Sequence, residues 1–323
     1  MRVFLTGGTG FIGGHVARRL RVRGDDVVAL VRSPEKAEAL RELGCEIVAG
    51  DLSDETAIAR GCAGAEAVVH AGAIYEVGVP KARHRELFEA NVAGTERVLD
   101  AAVTAGVPRI VYVSTVAVFG DTGGAVVSEG FERVAPFPSE YERTKTLAHE
   151  LALDRIAGGA PIVIVQPGGV YGPGDHSEIG NMVAQAATGK LPAKMFPDAG
   201  FMFCHVEDIA AGIVLALDDG RIGESYVLSA HQGTLGELVE TAARLAGRRP
   251  PRLTMPSFLL KLSAPLGPVV GPLLGFPPNL RELIASSDGV TYWASDAKAR
   301  SQLGFAPRPF EDGLAETVRA ALA

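Results

Sequence analysis

The chain has 323 residues, 47% hydrophobic and 21% charged, enough to bury a sizeable core in one large domain or two fused ones. Its net charge of −7 argues against nucleic acid as the main partner, because phosphate backbones are bound by basic surfaces. Three widely spaced cysteines (Cys45, Cys62, Cys204) and seven scattered histidines give neither a disulfide framework nor metal-ligand spacing, so no metal is expected and a reducing cytoplasm fits best.

Short apolar runs at 3–5, 27–31, 46–49, 67–70, 110–113 and 162–166 alternate with helical patterns near 11–23, 35–43, 54–61, 84–105 and 139–157. That alternation predicts βαβ units and a parallel sheet, and a run as uniformly apolar as VVALV suits a sheet covered on both faces. After a Pro/Gly-rich turn at 167–175 the pattern loosens. Helices are expected near 178–188, 206–217, 234–246 and 310–321, a strand at 225–229, and prolines crowd 250–278. The apolar stretch 258–276 is nearly long enough to span a bilayer, but three prolines, three glycines and Lys261 break it. It reads as a short helix followed by an apolar lid, without integral membrane insertion.

Gly7, Gly10 and Gly13 follow the first strand and open the first helix. One glycine permits a tight turn, one lets a pyrophosphate approach the backbone, and one lets the helix pack on the sheet. The helix N-terminus, with Phe11 and Ile12, then offers free N–H groups to phosphates. The second strand ends at Val31, where an NAD site places an acidic residue on the ribose. Arg32 and Ser33 follow, with Lys36 one turn on, a cation and hydroxyl suited to a 2′-phosphate. NADP is therefore expected, with NAD as the alternative. Asp51 and Leu52 close the third strand, where a carboxylate can accept from adenine or cap the next helix. Ala71, Gly72 and Ala73 end the fourth strand and are small enough for the cofactor to lie on their backbone.

Tyr141 and Lys145, four apart on a helix, share one face. A lysine ammonium beside a tyrosine favours the phenolate, so the pair can exchange a proton with an alcohol or carbonyl oxygen. Ser114 and Thr115 end the fifth strand, at the sheet edge where ligands bind; a hydroxyl there can hold the substrate oxygen or cap a turn. Asn91 lies on the buried stripe of its helix with Leu87, Val98 and Ala102, so its amide needs partners, expected on the backbone of a neighbouring strand near the cofactor. At 205–208, Asp208 is the expected cap of a helix.

TGGTGFIGG, Asp51-Leu52, the Asn-x-x-Gly-Thr at 91–95, VSTVAVFG at 113–120, Tyr141 with Lys145, and PGGVYGPGD resemble the ordered motifs of the extended short-chain dehydrogenase/reductase family. FCHVEDIAAG and LGFAPRPFEDGL are similar to its C-terminal half, so the resemblance spans essentially the whole chain. It implies an α/β fold, a Rossmann-type doubly wound parallel sheet with a smaller α/β substrate-binding domain. The expected division is 1–170, with about 204–230 returning to it, for the cofactor, and 171–203 with 231–323 for a small-molecule substrate. The resemblance further implies a homodimer, Tyr141 as acid/base, Lys145 on the nicotinamide ribose and Thr115 on the substrate oxygen. Pro167, Gly168 and Val170 would lie beside the nicotinamide. Gln166 stands where many sugar-nucleotide members carry arginine. Residues 27–40 look like the dihydroflavonol-4-reductase and 3β-hydroxysteroid dehydrogenase branch, although a hopanoid-associated sugar epimerase-like grouping shares many of these features. The expected activity is reduction of an aldehyde or ketone on a small, apolar substrate, the alternative being an NAD-dependent sugar-nucleotide epimerase or dehydratase.

Overall fold

The structure is a computed structural model that describes residues 1–133, 136–264 and 277–323. Seven parallel strands form the main sheet: β1 (Arg2–Thr6), β2 (Asp26–Val31), β3 (Glu46–Ala49), β4 (Ala67–His70), β5 (Ile110–Val113), β6 (Ile162–Pro167) and β9 (Ser225–Leu228), in the spatial order β3-β2-β1-β4-β5-β6-β9. The chain builds outward from β1 to β3, then crosses back to set β4 on the other side of β1. This topological switch opens a crevice at the carboxyl ends of the strands.

Alternating side chains explain why helices cover both faces. Val3, Leu5, Val27, Ala29, Val31, Val111 and Val165 pack with helices Phe11–Arg23 and Val206–Asp219 on one side. Phe4, Val28, Leu30, Val68, Tyr112 and Ile164 pack with Glu55–Cys62, Gly94–Thr104 and Glu140–Ala157 on the other. Both residue sets are apolar, so the strands read as continuous hydrophobic runs.

A second sheet was not legible in the sequence. Strand β8 (Gly200–His205) is its spine, paired parallel to β7 (Gly169–Tyr171) and β11 (Thr291–Tyr292) and antiparallel to β10 (His231–Thr234). Helices Glu178–Thr188, Leu235–Leu245 and Phe310–Leu322 pack against it around Val183, Leu238, Phe310 and Leu314.

Two local expectations need correction. The pattern near 84–105 is not one uniform helix: His84–Phe88 passes through a π-helical turn, Glu89–Ala93, into Gly94–Thr104. A Cβ on Gly94 would stand 2.8 Å from Leu52 Cβ, so the helix packs closer there than a side chain allows. The cap before Val206–Asp219 is His205, whose Nδ1 accepts from Glu207 N at 3.3 Å. Asp208 instead accepts from Arg308 Nε and backbone N, at 2.9 and 3.1 Å. The short helix in the proline-rich stretch is Ser257–Ser263; the lid expected over 265–276 lies outside the described residues. Among the described residues, no helix is long and apolar enough to cross a membrane.

Candidate active site

The glycine turn sits at the carboxyl end of β1. Gly7 has φ +75°, and a Cβ there would meet the Ala71 carbonyl and Gly72 N at 2.7 Å. Gly10 N closes the turn on Gly7 O at 2.9 Å. A Cβ on Gly13 would lie 2.1 Å from the same oxygen, so the helix rests on the turn itself. Helix Phe11–Arg23 has no side-chain cap and no acidic residue in its first turn, and Phe11 and Ile12 are part-buried there. Free N–H groups behind a glycine cradle fit the pyrophosphate of a dinucleotide.

At the end of β2, Arg32 is exposed, Ser33 half-buried, and Lys36 exposed in the turn Pro34–Lys36. Asp51 Oδ1 accepts from Ser53 N and Oγ at 2.8 and 2.6 Å, which lowers its pKa together with the nearby Arg32 charge. The helix after it is capped by Asp54, on Ala57 N at 2.9 Å, so Asp51 is not the cap. Leu52 packs on Gly94; Ala71 and Gly72 are part-buried, and Ala73 is exposed.

A buried polar row links this turn to the catalytic helix. Gly72 N donates to Thr6 Oγ1 at 3.1 Å, and Thr6 Oγ1 meets His70 Nδ1 at 2.7 Å. His70 Nε2 lies 3.0 Å from Thr95 Oγ1, which donates to Asn91 O at 2.7 Å. Because the Thr95 proton goes to that carbonyl, His70 donates through Nε2 and accepts from Thr6 at Nδ1. Burial, then the Lys145 charge, pushes the imidazole pKa down to about 3, so it is neutral. Asn91, on the π turn, accepts from Ile74 N at 2.7 Å and donates to Ile74 O and Thr144 Oγ1, both at 3.1 Å. Thus its backbone partner lies in the loop after β4. Sequence reasoning missed Thr6 and His70; the one available signal was a histidine closing the apolar run AVVH.

The reacting groups stand after β5, on the turn that follows it and on the first turns of helix Glu140–Ala157. Thr115 Oγ1 accepts from Ala117 N at 3.2 Å and so caps the turn Val116–Phe119, while lying beside the Tyr141 phenol. Ser114 Oγ meets His149 Nδ1 at 3.0 Å. Burial raises the Tyr141 pKa; the Thr115 hydroxyl opposes this less strongly. Lys145, only 3% exposed, is turned elsewhere: its Nζ donates to Val113 O at 3.0 Å and Tyr112 Oη at 3.3 Å. Burial lowers its pKa to about 8. The sequence suggested a lysine that lowers the tyrosine pKa, but here desolvation prevails and Tyr141 keeps its proton at neutral pH. Tyr75, also missed in the sequence, sets its ring edge-to-face on Tyr141 at 4.9 Å and is 55% exposed.

Pro167 ends β6, and Gly168 crosses under Met202, whose carbonyl oxygen a Cβ would meet at 2.2 Å. Val170, half-buried, belongs to β7. Gln166 is fully buried, and among the described residues neither of its amide atoms has a hydrogen-bond partner. This arrangement offers a phosphate cradle, a protonated phenol with a hydroxyl beside it, and a buried cation one helical turn away.

Comparisons with known proteins show the family. Residues 3–229 match the model of the NAD dependent epimerase/dehydratase family. The chain is 32% identical over 266 residues to sterol demethylase protein B of Methylococcus capsulatus, covering 81% of this chain and 79% of that one. It is 34% identical over 236 residues to the 4-hydroxy-2-methyl-3-oxo-4-farnesyl-3,4-dihydroquinoline-1-oxide ketoreductase of Stigmatella aurantiaca, covering 71% and 68%. Among solved structures, MoeE5 in complex with UDP-glucose and NAD superposes with a TM-score of 0.79 at 25% identity, over 100% and 99% of the chains.

Proposed function

The chain belongs to the NAD-dependent epimerase/dehydratase family and is an NAD(P)-dependent enzyme of the extended short-chain dehydrogenase/reductase type; from that premise we propose that it is an NADP-dependent reductase of a small, apolar aldehyde or ketone. The observation that carries the cofactor choice is the end of β2, where Val31 is followed by an exposed Arg32 and no carboxylate. Arg32, Ser33 and Lys36 would hold the 2′-phosphate, and Asp51, with Leu52, the adenine. Gly7, Gly10, Phe11, Ile12 and Gly13 would hold the pyrophosphate. Ala71, Gly72, Ala73, Asn91, Ser114, Lys145, Pro167, Gly168 and Val170 would line the remainder. The likeness to a sterol demethylase protein and to a ketoreductase whose named substrate bears a farnesyl chain supports an apolar carbonyl substrate.

A bound nicotinamide supplies hydride to the carbonyl carbon. Tyr141 gives its proton to the oxygen; burial keeps the phenol protonated at neutral pH, so the proton is in place to be given. Thr115 hydrogen-bonds that oxygen and fixes its position. Lys145 would hold the nicotinamide ribose, and the phenolate left behind regains a proton from solvent before the next turnover. The remaining assignments in this reading are a cofactor domain of 1–170 with about 204–230, a substrate domain of 171–203 with 231–323, a homodimer and a cytoplasmic location.

The second reading is an NAD-dependent sugar-nucleotide epimerase or dehydratase, favoured by the likeness to MoeE5. Titrating NADPH and NADH into the purified protein separates the two. The reductase reading predicts NADPH tighter by about tenfold or more, with Arg32→Ala losing about 1.4 kcal/mol or more of that preference. Equal or tighter NADH binding, or NAD carried through purification, contradicts it and moves the epimerase/dehydratase reading to first place.

A further inference from the structure

Beside the reacting groups lies a buried ion pair that the chemistry above does not use. Arg133 and Glu142 meet at 2.7 Å, with side chains only 9% and 3% exposed. Glu142 follows Tyr141 directly on the catalytic helix. Arg133 comes from the loop after β5, and its Nη1 donates to Ala117 O at 3.0 Å. Ala117 N is the group that Thr115 Oγ1 holds at 3.2 Å. Ala117 N is thus held by Thr115, while Ala117 O accepts both from Arg133 and, at 3.1 Å, from Gly120 N within the turn. Gly120 makes room for this: a Cβ there would stand 2.9 Å from the guanidinium carbon. Arg133 also reaches Pro136 O at 3.2 Å and covers the Phe137 ring at 4.7 Å. On its other oxygen, Glu142 accepts from Tyr292 Oη at 2.8 Å, a hydroxyl of β11 in the second sheet that also lies 3.1 Å from Ser286 O.

We propose that Arg133, Glu142 and Tyr292 form a positioning clamp that fixes the Thr115 turn against Tyr141 and ties this spacing to the second sheet. The physical case is one of geometry. Thr115 and Tyr141 lie on separate elements, and a hydroxyl that must meet the same oxygen as the phenol works only within a narrow range of positions. The turn's own bonds, Gly120 N to Ala117 O and Val118 N to Thr115 O, fix its internal shape but not its place relative to the helix that carries Tyr141. The guanidinium, planar and rich in donors, joins the turn to the residue after Tyr141, and a buried pair of this kind does not exchange partners with water. The Tyr292 hydroxyl adds the second sheet to the same carboxylate, so an element of the second sheet bears directly on the reacting pair.

The inference rests on the reading that Thr115 meets the substrate oxygen, and the test separates the two. Hydrogen exchange is followed over 115–120 and over the glycine turn in the full chain with NADP⁺ present. Arg133→Met is expected to speed exchange over 115–120 by about tenfold while 6–13 changes less than about twofold. The kinetic readout is NADPH-dependent reduction of 4-nitrobenzaldehyde. Arg133→Met should lower kcat about 10- to 100-fold with KM for NADPH little changed. In a Thr115→Ala background the same substitution should add less than about twofold, because the arginine acts through that threonine. Should Arg133→Met fail to fold, Tyr292→Phe, which loses one hydroxyl and keeps its ring, gives a smaller loss with the same non-additivity. Unchanged exchange over 115–120, or losses that multiply independently, overturns the clamp. A Thr115→Ala protein with unaltered kcat, or a wild-type protein that does not turn the aldehyde over, counts against the reductase reading instead; the exchange result then judges the clamp alone.

Discussion

Replacing Gly13 by alanine isolates what the glycine turn does. The added Cβ would lie 2.1 Å from Gly7 O, 2.6 Å from Gly7 C and 3.1 Å from Gly8 Cα. Carbon and oxygen in ordinary contact stay about a full ångström farther apart than the shortest of these, and every obstructing atom is backbone, so no rotamer relieves the clash. The turn and the helix must separate by roughly 1 Å. Overpacking of this kind costs about 1–3 kcal/mol of stability. A shift of that size also misaligns the helix N–H groups; losing one charge-assisted bond, about 1.5–3 kcal/mol, weakens dinucleotide binding about 10- to 100-fold. Two neighbours act as controls. At Gly10 a Cβ meets only Gly7 O, at 3.2 Å, which a small adjustment absorbs. At Gly14 the first contact is 3.5 Å, so alanine fits and should stabilise the helix by about 0.5–1 kcal/mol. The assay is urea unfolding with an NADPH fluorescence titration for all three variants. The expected order of damage is Gly13, then Gly10, with Gly14→Ala more stable than wild type. A Gly13→Ala protein with wild-type stability and a dissociation constant within about threefold refutes the packing argument.

Two further outcomes follow from the buried polar groups. Asn91→Ala strips Ile74 of both backbone partners and Thr144 of one, and should cost about 2–3 kcal/mol in urea unfolding; a loss below about 0.5 kcal/mol means that water replaces the amide at no cost. Lys145 is held at about 8, below its ordinary 10.5, so the unfolded chain binds the extra proton between those values. Its contribution is therefore full above pH 10.5 and lost as pH falls to about 8, leaving a penalty on the order of 3 kcal/mol at pH 7. Relative to wild type, Lys145→Met should accordingly be more stable at pH 7, with that advantage shrinking by pH 9.5, as read from urea midpoints; an advantage independent of pH contradicts a buried, depressed lysine.

The main sheet was legible because its strands are buried on both sides and separated by amphipathic helices long enough to read. Strand β9 was found for the same reason, although it returns to that sheet from the second half of the chain. The second sheet escaped notice because β7 and β11 have three and two residues, too few for a period. In β8, GFMFCH opens on glycine and has no β-branched residue, so it lacks the Val/Ile signature of the main strands. At the candidate site, residues whose proposed chemistry is local could be named from the sequence: the glycines, Arg32, and the Tyr141–Lys145 spacing. Those whose partners are distant were not. His70 finds Thr6 across 64 residues, and Tyr292 reaches Glu142 across 150. The pKa of Tyr141 was misjudged for a related reason: spacing put a lysine nearby, whereas the surrounding burial and the direction of the Lys145 side chain are set by the packed sheet.

Whether Tyr141 protonates a carbonyl reduced by NADPH is read by following label from 4,4-dideuterated NADPH into a neutral apolar ketone. The expected result is one NADPH consumed per alcohol formed, deuterium on the carbinol carbon, and a rate lower by about 10²- to 10⁴-fold in Tyr141→Phe with NADPH affinity within about twofold. Conversion of substrate with no net consumption of cofactor, or a Tyr141→Phe protein that reduces the ketone at the wild-type rate, would contradict it.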